Sequence, residues 1–219
     1  MTTLAPGAPA LDRAEVARLA GRARRLSWIS LAYMTAEGAV AIAAGIAAGA
    51  VSLIGFGLDS AIEGAASAII VWRFTGRRTF SPAAERRASR LVAVQFFLLA
   101  PYVAAESLAS LVVGHRPEAS WVGIALAASS LIAMPALGIA KERLAVPLAS
   151  AATAGEGRQN MLCAYLAGAL LLGLLGNALL GAWWLDPAVG LLIAGVAVVE
   201  GVRTWRGEEC CAGGCGATV

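Results

Sequence analysis

"GFGLDSAIEGAASAIIVWR", residues 55–73, is an apolar stretch of helical length with two acids in its middle, Asp59 and Glu63. No other charged residue occurs from Val51 to Trp72. An ionised carboxylate in such surroundings costs several kcal/mol unless something pairs with it. The stretch therefore sets two questions: what solvent surrounds this helix, and what makes the acids worth keeping.

Composition answers the first. Of 219 residues, 59% are hydrophobic and only 14% charged, with mean hydropathy +0.74. A soluble domain runs nearer ~25% charged, so the chain is expected to be an integral membrane protein. A helix crosses hydrocarbon in ~20 residues, and six stretches suffice: about 27–48, 51–72, 91–113, 119–140, 157–182 and 185–202. The fold expected is all-α, a polytopic bundle of six transmembrane helices. Its parts are a basic N-terminal segment (1–26), the membrane domain (27–206) and a Cys-rich tail (207–219). The first 26 residues hold five Arg and no apolar core of signal-peptide type, so no cleaved leader is expected. They read either as a surface amphipathic helix or as a solvated tail.

The net charge of +3 is a topology signal and implies no nucleic-acid partner, since the charges are not gathered on one polar domain. Sixteen of the 17 Lys and Arg fall in the N-terminal segment, the second-to-third connection, the fourth-to-fifth connection (Lys141, Arg143, Arg158) and the tail. The other connections hold only Arg116. The positive-inside rule then predicts cytoplasmic termini. Trp28, Trp72 and Trp205 at inner boundaries, and Trp121, Trp183 and Trp184 at outer ones, fit an aromatic belt.

Asp59 and Glu63, at i and i+4, share one helix face. Like charges this close repel, so without a cation at least one is expected to hold a proton. A site that takes either a proton or a cation suits proton-coupled metal exchange; the alternative is a pair of protonated acids bonding neighbouring helices. In the fifth stretch, "EGRQNMLC", Glu156, Gln159 and Cys163 again lie on one face. Cys163 is either a small buried hydrophobe or a soft ligand. Glu37 and Glu106 read as a proton path, a second cation contact or helix glue. His115 reads as a solvated loop residue. In the tail, Cys210, Cys211 and Cys215 beside Glu208 and Glu209 are either a capture site for soft metal, a plain disordered end or an acylation site. No nucleophile elbow, phosphate loop or His-rich zinc motif occurs, so no enzyme is expected.

The 55–73 stretch resembles the second transmembrane helix of the cation diffusion facilitators, which carries Asp-x-x-x-Asp where this chain has Asp59-x-x-x-Glu63. That family's fifth helix carries His-x-x-x-Asp with an acid three residues before the His; Gln159, Cys163 and Glu156 stand there. "WWLDPAVGLLIAG" (183–195) is similar to the opening of its sixth helix. The resemblance covers roughly 27–206, and the short ending matches a branch without the C-terminal cytoplasmic domain. It implies a divalent cation transporter of the plasma membrane, exchanging Zn²⁺-like ions (Cd²⁺ or Co²⁺ as alternatives) for protons, with no tightly bound cofactor. The metal ligands it implies are Asp59, Glu63, Gln159 and Cys163, with Glu156 at the position of the family's preceding acid; Glu37, Cys210, Cys211 and Cys215 are accessory candidates on their own chemistry. The departures from the family, an amide and a thiol for its His and Asp, bear on which metal is carried. Expected partners are the bilayer, the metal and protons, with a homodimer left open. The rival reading is a membrane-embedded metal-binding or regulatory protein that does not transport.

Overall fold

The computed structural model describes residues 12–48, 51–114, 121–180 and 184–207, apart from the side chains of 48, 51–53, 173–178, 180 and 185–186. His115, Asn177, Cys210, Cys211 and Cys215 lie outside the residues whose surroundings are described. The chain is all-helical: α1 (Arg13–Ala48), α2 (Val51–Arg73), a 3₁₀ turn (Gly76–Phe80), α3 (Pro82–Val113), α4 (Trp121–Leu148), α5 (Ala151–Leu180) and α6 (Leu185–Arg206). Five of the six α-helices, all but α5, are long and apolar enough to cross a membrane among the described residues. The first half of α5 carries Glu156, Arg158, Gln159 and Asn160.

The outer surface agrees with a hydrocarbon solvent. Ile46, Val112 and Ile132 are 69%, 86% and 77% exposed, whereas Ser27, Ser30, Ser60, Ser67 and Ser130 are buried. Exposed apolar surface on this scale does not suit water. The helices alternate in direction, and their basic ends meet at one pole. Arg24 of α1 donates to the carbonyl of Phe74 after α2, Glu85 near the start of α3 accepts from the amide of Ala152 in α5, and Arg158 of α5 pairs with Glu200 of α6 at 2.7 Å.

Several helices outrun their apolar stretches at this pole. α1 begins at Arg13, far ahead of the expected start near 27, and its 36 residues span about 54 Å. Hydrocarbon accounts for about 30 Å of that. The surplus is stabilised by protein packing, because Ala20 and Ala23 join Phe74, Ala88, Val92 and Ala152 in one buried cluster. Residues 13–26 are thus a helix packed on the bundle, neither a solvated tail nor a separate surface helix. The fourth-to-fifth connection shrinks to Ala149 and Ser150, with Ala149 at φ 47°. Lys141, Arg143 and Arg158, expected in that connection, lie inside α4 and α5. Ser81 caps α3 by accepting from the Ala84 amide, with Pro82 behind it.

The bundle is built from two like hairpins. α1 ends at Ala48 and α2 starts at Val51; α4 ends at Leu148 and α5 starts at Ala151, an interval of 100 residues. The crossings repeat at that interval. A Cβ at Gly57 would stand 2.9 Å from the Gly38 carbonyl oxygen, and one at Gly157 would stand 3.0 Å from that of Gly138. Only glycine permits backbones this close. α1 packs most extensively on α2, α4 on α5, and α3 on α6; α2 and α5 meet over a short stretch.

Candidate functional site

Where α2 and α5 meet, the acidic pair faces the interior. Asp59 is 7% and Glu63 4% exposed, on α2; Gln159 is 1% and Cys163 3% exposed, on α5. The small residues around the acids, expected to admit α5, serve the α1 crossing instead: Gly57 and Gly64 face α1, Ser60 donates to Glu37 of α1 and Ala61 is exposed. The Cys163 thiol faces the Glu63 carboxyl. Glu63 lies within electrostatic reach of Asp59, Asp59 within reach of Glu106, and both within reach of Glu37. The expected pairing of these two helices is therefore present.

The hydrogen bonding of these donors is unusual. Oδ1 of Asp59, both carboxyl oxygens of Glu63 and both amide atoms of Gln159 are buried without a hydrogen-bond partner. Each such atom costs about 1–3 kcal/mol against a satisfied one. Native interiors leave few; of the seven among the described residues, five fall on three of the four residues that the family resemblance implies as ligands, the others being Gln95 Oε1 and Thr204 Oγ1. The four do not close into a finished shell. Among the described residues, no three His, Cys, Asp or Glu side chains converge as metal ligands do.

The accessory candidates are placed differently. Glu37 of α1 accepts from Ser60 of α2 at 3.0 Å, from Tyr33 at 3.3 Å and from Ser130 of α4. It binds three helices together, as the glue reading requires. Glu156 has both oxygens engaged: Oε1 pairs with Lys141 Nζ at 2.8 Å and Oε2 accepts from Ser27 at 2.7 Å. Glu106 sits on the exposed side of α3, where Gly55 of α2 leaves room. A Cβ at Gly55 would stand 2.7 Å from the Tyr102 hydroxyl and 3.1 Å from Glu106 Oε1.

Lys141 is the residue that sequence reasoning misplaced. It is fully buried and donates to Ser30 at 2.6 Å, Glu156 at 2.8 Å and Asn160 at 3.1 Å. These contacts tie α1, α4 and α5 beside the acid pair. A lysine in "AKERL" reads as a loop charge, and only the interval to Glu156 across the short connection hints otherwise. A second anchor at the basic pole, Arg73–Glu85 at 2.7 Å, extends to Ser150, whose hydroxyl donates to Glu85. Neither known protein families nor curated proteins give a match to this chain.

Proposed function

We propose that the protein is a transmembrane transporter of divalent, Zn²⁺-like cations that exchanges the metal for protons, of the kind found in the short branch of the cation diffusion facilitators. One observation carries the reading: the buried polar atoms of Asp59, Glu63 and Gln159 lack partners, while Glu37, Lys141 and Glu156 beside them are bonded. Orphaned acids in an apolar interior are stabilised by whatever arrives with positive charge, a proton or a metal. An arriving dication draws Asp59 and Glu63 together, with Gln159 and Cys163 as the opposing donors, and expels the protons they hold. Protons returning from the far side release it. The protein works in the plasma membrane with six spans and cytoplasmic termini, alone or as a homodimer.

The deciding experiment is metal flux in proteoliposomes under an imposed proton gradient. Zn²⁺, Cd²⁺ or Co²⁺ movement that Asp59→Asn abolishes supports transport. Tight binding without flux would instead leave a membrane protein that holds metal without moving it, and tight Mg²⁺ binding with no Zn²⁺ response would overturn the cargo. Topology has its own check: a membrane-impermeant thiol reagent added outside should label Arg116→Cys and miss Phe80→Cys.

A further inference from the structure

Three buried sulfurs collect next to the orphaned donors. Met34 of α1, Met134 of α4 and Cys163 of α5 pack with Ala164 into one cluster, at 2%, 0% and 3% exposure for the sulfur-bearing residues. The hairpin repeat explains their meeting. Met34 and Met134 stand 100 residues apart at equivalent places in α1 and α4, as Asp59 and Gln159, and Glu63 and Cys163, do in α2 and α5. Each methionine also leans on the partner helix of its own hairpin beside a proposed ligand. A Cβ at Gly64, next to Glu63, would stand 3.4 Å from Met34 Cβ, and Met134 Sδ accepts from Asn160 Nδ2, next to Gln159, at 3.2 Å.

Methionine in a core is ordinarily a gap filler, and leucine fills such gaps as well. Two observations weigh against filler alone here. The thioethers share their cluster with the only thiol in the described bundle, and the unpartnered atoms belong to Gln159, one turn from Cys163 on α5, and to Glu63, whose neighbour Gly64 on α2 meets Met34. Thioether and thiolate donors select soft cations over Zn²⁺-like borderline ions.

We propose that Met34 and Met134 add two thioether sulfurs to Cys163, making the cargo site one for soft, thiophilic cations of the Cu⁺ class, with the carboxylates supplying charge. The inference rests on the reading of these residues as a cation transporter's site and replaces its Zn²⁺-like dication with a softer, monovalent cargo. The test uses the full chain in detergent with Cys210, Cys211 and Cys215 replaced by serine, labelled at the methionine methyls and titrated with Ag⁺. Met161, whose thioether packs against Gly138 at the hairpin crossing, is the internal control. The Met34 and Met134 methyl resonances should move with saturation while Met161 stays. Met134→Leu should weaken Ag⁺ binding at least tenfold, and if that variant does not fold, the methyl shifts of the parent chain decide. Ag⁺ binding that leaves Met34 and Met134 unmoved overturns the inference. Co²⁺ binding that depends on Asp59, with no Ag⁺ response, also overturns it and leaves the transporter reading standing. If neither ion binds, both fail.

Discussion

Two buried polar clusters lie side by side in this bundle and are finished to different degrees. Around Lys141, the ammonium meets a carboxylate, a hydroxyl and an amide, and the carboxylate's other oxygen is met by Ser27. Around Asp59 and Glu63, five polar atoms counting those of Gln159 have no hydrogen-bond partner, the Cys163 thiol facing Glu63 without a bond. The side chains are buried in both places, so exposure does not explain the contrast. A complete network fixes one arrangement of α1, α4 and α5. An incomplete one is stable only when something outside the chain completes it. The finished cluster is read as scaffold and the unfinished one as site.

Mutations on either side should separate these roles. Lys141→Met strands a buried Glu156 charge and should lose about 3–5 kcal/mol of stability, read as a fall in the SDS-denaturation midpoint. Replacing both partners, Lys141→Met with Glu156→Met, should recover most of it. If the single change is silent, the cluster is not scaffold. Asp59→Asn should do the opposite. Metal affinity and metal-driven proton release should drop tenfold or more, about 1.4 kcal/mol, with the denaturation midpoint unchanged or raised, since an unpaired acid disappears. Normal metal-dependent proton release from Asp59→Asn would return the pair to structural glue and end the transporter reading.

Glu37→Gln sharpens the boundary. The amide keeps one acceptor for the three hydroxyls, so a loss of about 1 kcal/mol of stability is expected, with metal affinity nearly intact. A tenfold loss of affinity would instead move Glu37 into the site. Smallest of all is removal of residues 208–219, which should reduce uptake only when metal is scarce; abolished binding would place the principal site in the tail.

The sequence shows the membrane character, the helix count and the α2 face with its acids directly, because an apolar run interrupted at i and i+4 has few other physical readings. The face of α5 with Glu156, Gln159 and Cys163 is legible by the same spacing, and all three are buried. Two things were hidden. Helix ends at the basic pole follow protein packing, so α1 reaches back to Arg13 where an apolar window stops near 27. The partnership of Lys141 with Glu156 depends on a tertiary approach, and a charge beside other charges looks like loop until its partner is seen.

The like hairpins carry a consequence for how such a chain is made. Two halves of three helices each have opposite directions if every helix crosses, so a duplicated piece must enter the membrane both ways up. Packing is shared between the halves, down to the paired glycines. Charge is not. The first half has five arginines in the early turns of its first helix and more between its second and third, whereas the second half has only Arg116 ahead of its first helix and no basic residue between α5 and α6. The glycine pairs repeat between the halves while the arginines do not, and some of those arginines, such as Arg73 and Arg158, also anchor the helix ends, so a change to the charge pattern there would reach the packing as well.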